Sequence, residues 1–127
     1  KNKTINVVNL ISKIKKKKIM QDPNSIKVVK NQKHQALYFS RSPIPYTKKK
    51  GKYNYGHKQV CIIPFRRNFL LKYIKLKPTN LELKESIDMM RILESGYNVH
   101  LVEIKKETYP VDTLSDLKAV TKMVNAN

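Results

Sequence analysis

The acidic side chains of one predicted helix are the first candidates for chemistry. Four of the nine Asp and Glu residues lie between positions 80 and 95: Glu82, Glu85, Asp88 and Glu94. The first three recur every third residue, which places them on one drifting face of a helix. Two interpretations stay open. The carboxylates offset the helix dipole and solvate the outer surface, or they accept hydrogen bonds from a polyhydroxylated ligand or hold a cation.

Two isolated charged residues follow predicted strands. Asp112 lies between a strand and a helix cap, where α/β proteins place ligand-contacting side chains. Its carboxylate suits a hard cation such as Mg²⁺, and the alternative is a plain loop residue. Arg41 directly follows residues 38–40 of a strand. Its planar guanidinium suits a carboxylate or phosphate of a ligand, and the alternative is a surface ion pair.

Other residue types that often carry chemistry lack a supporting pattern. His34, His57 and His100 show no metal-ligand spacing, and the three glycines form no phosphate-binding loop. If the protein handles a nucleotide, the phosphate loop lies elsewhere. Cys61 is the only cysteine, and its apolar surroundings at 60–63 predict a buried side chain. The cysteine content, with no secretory signal or long apolar run, favours a cytoplasmic protein without a membrane span.

The elements that position these residues follow one another as several strands, two helices, a strand and a helix. This order predicts an α/β or α+β fold. β-Branched and apolar runs predict the strands, and the polar stretch 30–33 has the length of a hairpin connection. The predicted strands cover residues 4–11, 26–29, 35–39, 58–65 and 98–104.

Capping signals predict the helices. Thr79-x-x-Glu82 opens the acidic helix and Gly96 ends it, while Thr113-x-x-Asp116 caps the last helix. The predicted helices cover residues 67–76, 80–95 and 114–124.

The stretch 41–55 fits neither a strand nor a helix. It contains two prolines, a glycine, four lysines and three tyrosines. Such a composition predicts an extended arm or a long loop. We expect an arm of this length to have a role of its own.

The net charge of +18 raises an alternative function, a small basic nucleic-acid-binding module. Only four of the 27 basic residues are Arg. Arg is the side chain whose guanidinium binds a phosphate or a base edge through two parallel hydrogen bonds. The scarcity of Arg argues against a sequence-specific DNA reader. The lysine runs at 15–18 and 48–52 are interpreted as solvated loops.

Two sequence blocks resemble one enzyme family, the 3-deoxy-manno-octulosonate (Kdo) cytidylyltransferases. Residues 22–29 and 36–45 are similar to the family pattern NPNxVKVV…ALYFSRxxIP, and the second block is specific. The similarity covers nearly the whole chain. Further matches follow in family order: Phe69 to Tyr73, Leu81, Glu82, Glu85, Arg91 to Leu93, Gly96, Val111 to Thr113, Asp116 and Leu117.

The resemblance implies a C-terminal portion of a Rossmann-like nucleotide-diphospho-sugar transferase fold, a mixed sheet with flanking helices. It further implies that residues 1–127 bind the sugar acid and form a homodimer through an extended arm at 42–56, while the CTP-binding N-terminal half is absent. The implied reaction moves CMP from CTP to the anomeric hydroxyl of a sugar acid, releases pyrophosphate and uses Mg²⁺, in lipopolysaccharide biosynthesis. The fragment alone is then expected to be inactive.

The resemblance also implies roles for individual residues. Asp112 would hold the metal, and Tyr38, Ser40 and Arg41 would border the sugar-acid site. Glu85 matches the family and would accept a sugar hydroxyl.

The chain departs from the family where relatives contact the sugar. Gln59 replaces a His, Asp88 and Met89 replace a Glu-Gln pair, and Ile63 replaces a Tyr. Gln59 and Asp88 are predicted to contact the sugar from their positions. The departures leave the sugar as Kdo or a related octulosonic or nonulosonic acid.

Overall fold

Apolar strands pair into one mixed sheet in the computed structural model, which describes residues 4–48, 56–105, 108–109, 111 and 113–126. The strands of this part are β1 (Val8–Lys13), β2 (Lys27–Lys30), β3 (Ala36–Ser40), β4 (His57–Val60) and β5 (His100–Glu103). The helices are α1 (Lys17–Gln21), α2 (Arg67–Tyr73), α3 (Asn80–Glu85), α4 (Met89–Glu94) and α5 (Leu114–Asn125). A sheet with flanking helices confirms the predicted α/β class.

The strand order in the sheet is β3-β2-β4-β1-β5. β1 is parallel to β5 and antiparallel to β4, while β2 is antiparallel to both β3 and β4. Leu10 in β1 pairs with Val60 on one side and with Val102 on the other, so an apolar row crosses three strands. One parallel pair among antiparallel pairs makes the sheet mixed, as the resemblance implied.

The polar stretch between β2 and β3 forms the predicted hairpin. Asn31 fixes its turn, because its side-chain oxygen accepts the backbone N–H groups of Lys33 and Gln35, both at 2.9 Å. Val28 pairs with Phe39 across the two strands, and both side chains are buried. Turn chemistry and cross-strand packing therefore agree on the register.

The strand predicted over 58–65 ends at Val60, and Cys61 is exposed, so its predicted burial is wrong. The chain bends after Val60, where the Ile62 N–H donates to the Val60 carbonyl at 2.7 Å. The carbonyls of Ile62 and Pro64 still accept N–H groups from β1. Val60 is buried, so alternation along β4 already points the next residue, Cys61, away from that side of the sheet.

The N-terminal elements begin later than the sequence predicts. The first strand runs over Val8–Lys13 rather than 4–11, and the lysine run at 15–18 lies partly in α1 rather than in a loop. All four lysines are exposed, as predicted. Met20 explains the helical turn, because α1 buries this side chain.

The core lies between the sheet and helices α2 and α4. Phe39 and Ile11 are fully buried, and full burial of such a side chain stabilises the fold by about 1.5–3 kcal/mol. The core side chains are Val7, Ile11, Val28, Ala36, Phe39, Phe69, Ile87, Met89, Met90, Ile92, Val99 and Leu101.

The acidic helix predicted over 80–95 is two helices, which is the main correction to the predicted elements. α3 ends at Glu85, Ser86 is left-handed with φ 54°, and α4 begins at Met89. A left-handed residue other than glycine costs about 1–2 kcal/mol, so tertiary contacts must hold it. The break turns Met89 and Met90 into the core, where they are 3% and 1% exposed.

The predicted cap of the last helix is confirmed, whereas the predicted arm is described only in part. The capping box of α5 is confirmed: Thr113 Oγ1 accepts the Asp116 N–H at 3.1 Å, and Asp116 Oδ2 accepts the Thr113 N–H at 2.9 Å. Residues 42–48 of the arm contain neither helix nor strand, and 49–55 lie outside the described residues.

Within the described part of the chain, no helix has both the length and the apolarity to cross a membrane.

Candidate functional site

Four of the predicted site residues meet where β3 and α3 end, and we call them the Glu85 cluster: Tyr38, Ser40, Arg41 and Glu85. Glu85 Oε1 accepts hydrogen bonds from the Ser40 hydroxyl at 2.8 Å and the Tyr38 hydroxyl at 3.2 Å. Glu85 Oε2 accepts the backbone N–H of Arg41 at 3.0 Å. Alternation along β3 points Tyr38 and Ser40 to the same face, where the last turn of α3 brings the carboxylate.

The guanidinium of Arg41 lies against backbone carbonyls. Nε donates to the Glu85 carbonyl at 2.8 Å, Nη1 to the Pro23 carbonyl at 2.9 Å and Nη2 to the Ser86 carbonyl at 3.0 Å. Three N–H groups are thus committed within the protein, and only the outer part of the fork can reach a ligand. Arg41 joins the turn at 22–25 to the break between α3 and α4.

The pKa values in the cluster follow from these contacts. Burial alone would raise the pKa of Glu85, but hydrogen bonds from Arg41, Ser40 and Tyr38 and the Arg41 charge outweigh it and hold the pKa below the ordinary 4.5. Burial raises the pKa of Tyr38, and the Glu85 charge adds to the effect. At neutral pH the cluster therefore contains an ionised carboxylate and a neutral phenol.

Lys27 is a member of this neighbourhood that the sequence analysis did not single out. Its side chain is fully buried, and Nζ donates to the carbonyls of Asp22 at 2.9 Å and Ser25 at 2.6 Å. Burial lowers its pKa, and the Arg41 charge lowers it further, while the charges of Asp22 and Glu85 oppose the shift. The available signal was a single charged residue inside the apolar run 26–29.

Gln59 belongs to a second group, in the sheet. Its Nε2 donates to Asn9 Oδ1 at 2.6 Å, and Asn9 Nδ2 donates to the Val60 carbonyl at 3.1 Å. Gln59 Oε1 is shielded from solvent and accepts no hydrogen bond from the described residues. Asn9, which is fully buried, is a polar partner that the apolar run around it concealed.

Asp88 and Asp112 complete the predicted set. Asp88 is exposed and directly precedes α4, and its carbonyl accepts the Arg91 N–H at 3.1 Å. Asp112 lies outside the described residues. The residues that the structure describes include no group of three His, Cys, Asp or Glu side chains able to hold a metal ion.

Two other acids of the predicted acidic face have structural partners. Glu82 is buried, so the surface interpretation is wrong for this residue, and its carboxylate binds Nε and Nη2 of Arg91 in a two-point ion pair. Glu94 Oε2 accepts the N–H groups of Leu81 and Glu82 at 2.8 and 3.3 Å. Glu94 therefore offsets a helix dipole, but that of α3 rather than of its own helix.

The stability of the fold should fall in acid because of these carboxylates. Hydrogen bonds from Arg91 lower the pKa of Glu82, and the pKa of Glu85 is also below 4.5. A lowered folded-state pKa contributes stability above the unfolded-state value, and that stability is lost as pH falls from about 4.5 through the folded-state values. Urea midpoints measured from about pH 6 to about pH 3 should decrease below about pH 4.5. A Glu85→Gln variant should show a shallower decrease, and an unchanged slope would contradict the assignment.

Known proteins match this chain over most of its length. A family model described as cytidylyltransferase matches residues 1–107. A 3-deoxy-manno-octulosonate cytidylyltransferase of Fusobacterium nucleatum is 36% identical over 126 residues, which are 99% of this chain and 51% of the relative. A protein of the same name from Synechococcus elongatus is 41% identical over 97 residues, 76% of this chain and 40% of the relative.

A solved structure has the same fold. The structure of CMP:2-keto-3-deoxy-manno-octonic acid synthetase complexed with CTP matches with a TM-score of 0.87 at 34% identity, over 98% of this chain and 51% of that one. The chain spans about half the length of the relatives it matches. The match confirms the predicted fold class as part of this synthetase fold. By sequence and by fold, the chain belongs to the cytidylyltransferase family.

Proposed function

We propose that the protein containing this chain transfers CMP from CTP to the anomeric hydroxyl of a sugar acid, Kdo or a related octulosonic or nonulosonic acid. The observation that supports the proposal is the match of nearly the whole chain to a synthetase complexed with CTP. In this reaction the sugar hydroxyl attacks the α-phosphorus of CTP and loses its proton. The bond between the α-phosphorus and the pyrophosphate oxygen breaks, and pyrophosphate leaves.

The described residues offer groups suited to a sugar acid. The uncommitted part of the Arg41 fork is a donor for a carboxylate, and the exposed carboxylate of Asp88 is an acceptor for hydroxyls. We therefore assign the choice of sugar to this chain and CTP binding to the part of the relatives that this chain does not span.

Mg²⁺ is part of the proposal, with Asp112 as the ligand that this chain would contribute. Mg²⁺ is usually held by one or two protein carboxylates together with substrate phosphates and water. This chain therefore needs to provide only one carboxylate ligand. When bound, the ion would offset negative charge on the phosphate under attack. The chain's own residues bind and orient the sugar acid.

A homodimer and a cytoplasmic location are also parts of the proposal. Tyr46 in the arm at 42–56 is 88% exposed, and Tyr is enriched at protein–protein interfaces. A partner subunit covering this arm would remove Tyr46 from water. Sedimentation of the whole protein should give the mass of two chains, and a Tyr46→Ser variant should shift it toward the monomer. A wild-type monomer would exclude the dimer.

An assay of the whole protein tests the proposed reaction. Pyrophosphate release should require CTP, Mg²⁺ and a sugar acid, and Kdo and N-acetylneuraminic acid should be compared as acceptors. The isolated chain of residues 1–127 is the matched control and should give no turnover. If the folded whole protein binds CTP but releases no pyrophosphate with either acid, the proposed function is wrong.

A further inference from the structure

The partners of Glu85 lie within the protein. Both of its carboxylate oxygens accept hydrogen bonds, from Tyr38 and Ser40 on β3 and from the backbone of Arg41. Ser40 is 2% exposed, so its hydroxyl is closed to a ligand. The carboxylate is thus already bound before any substrate arrives, and little of its hydrogen-bonding capacity remains for a sugar hydroxyl.

The same contacts explain the break between α3 and α4. In a continuous helix the carbonyls of Glu85 and Ser86 would accept N–H groups four residues later. Here both carbonyls accept N–H groups of Arg41 instead, and the Met90 N–H donates to Ile87. Arg41 therefore replaces the helical hydrogen bonds that the break removes.

The ionised form of Glu85 also contributes to the local charge balance. Lys27 is fully buried beside the turn at 22–25, and Arg41 donates to Pro23 in the same turn. The Arg41 charge opposes protonation of Lys27, whereas the charges of Glu85 and Asp22 favour it. A neutral residue at position 85 would leave two neighbouring cations with Asp22 as the nearest counter-charge.

We propose that Glu85 is a positioning residue: its carboxylate holds Arg41 and β3 against the left-handed Ser86, and this sets the direction in which Asp88 is presented to the sugar acid. Asp88 lies two residues after Ser86, at the start of α4. Glu85 thus acts on the substrate through the backbone and makes no direct contact with it. The role of Asp88 rests on the proposed function, but the fixing of the break does not.

Hydrogen exchange and kinetics on the whole protein together test this role. Glu85→Gln keeps the size of the side chain and removes its charge. Without substrate, amide exchange over residues 87–91 should become about tenfold faster or more, because the break loses its anchor. KM for the sugar acid should rise by about tenfold while KM for CTP changes by less than about twofold.

Matched variants separate positioning from contact. Ser40→Ala removes a donor to Glu85 that no ligand can reach, so it should shift exchange and the sugar KM in the same direction by a smaller factor. Lys84→Gln removes a charge from the neighbouring exposed position of α3 and should change neither. Ser86→Gly suits the left-handed conformation and should preserve the sugar KM. Ser40→Ala also serves if Glu85→Gln fails to fold.

Two results would overturn the proposal. A raised sugar KM in Glu85→Gln with unchanged exchange over 87–91 would show that Glu85 contacts the sugar directly. Unchanged exchange together with an unchanged KM would show that the carboxylate anchors nothing. Exchange needs no turnover, so a wild-type protein that exchanges as expected but transfers no CMP would refute the proposed function while supporting the anchor.

Discussion

Replacing Glu82 by Ala is expected to lower the free energy of unfolding by about 3–5 kcal/mol, because the change leaves a charge without its partner in a mostly buried site. Glu82 is 6% exposed, and its carboxylate binds the Arg91 guanidinium at two points. The carboxylate also accepts the Thr79 N–H at 3.1 Å, which caps α3. Arg91 lies 5.2 Å from the ring centre of Tyr73, so the pair links α4 to α2 and α3. Urea unfolding of the whole protein gives the measurement.

A double replacement tests how much of the stability loss comes from leaving one charge of the ion pair unpaired. Glu82→Leu with Arg91→Met should lose much less stability than either single change, because removing both partners leaves no unpaired charge. Glu94→Gln is the control for a carboxylate on an exposed residue and should cost about 1 kcal/mol or less. If the double replacement loses as much free energy of unfolding as the two single changes added together, Glu82 and Arg91 are not energetically coupled and the prediction is wrong.

Replacing Asp112 by Asn is expected to slow CMP transfer by about 100-fold or more, if this residue supplies the proposed metal ligand. Asn keeps the shape of the side chain but loses the charge that attracts Mg²⁺, and losing one group that stabilises transition-state charge commonly costs about 10²–10³ in rate. Pyrophosphate release by the whole protein should be measured over a range of Mg²⁺ concentrations. The variant should need more Mg²⁺ for half-maximal rate.

Asp116 is the matched control for this prediction. It is an acidic residue four positions later, and its carboxylate accepts the N–H and hydroxyl of Thr113 at the start of α5. Asp116→Asn should weaken the cap by about 1 kcal/mol and leave the Mg²⁺ dependence unchanged. A normal rate in Asp112→Asn would remove Asp112 from the reaction.

The sequence predictions were wrong for the length of the acidic helix and for the burial of Cys61. Local signals extend the acidic helix to Ser95, but the carbonyls at Glu85 and Ser86 find a better donor in Arg41, which is more than forty residues away. Cys61 lies in an apolar run, yet it directly follows the buried Val60 and is exposed. The helix break produces no periodic pattern in the sequence, because hydrophobic periodicity reports the faces of regular elements and not their interruptions.

The partners of the buried charges could not be identified from the sequence. An isolated charge is costly to bury, so the burial of Lys27 and Glu82 requires partners. Their partners are two carbonyls of the turn at 22–25 for Lys27 and Arg91 for Glu82, and only the folded chain brings these together. The three internal donors to the Glu85 carboxylate, from Tyr38, Ser40 and the Arg41 backbone, likewise appear only in the folded chain.

The sequence by itself determined the features that depend on neighbouring residues. The capping residues at Thr113 and Asp116, the hairpin at 30–33 and the motif residues at 36–45 all follow from local chemistry or from family resemblance. The tertiary structure alone decided the helix break at Ser86 and the hydrogen bonds that join Tyr38, Ser40 and Arg41 to Glu85. These depend on hydrogen bonds between distant segments, whose geometry is fixed only when the sheet and helices pack together.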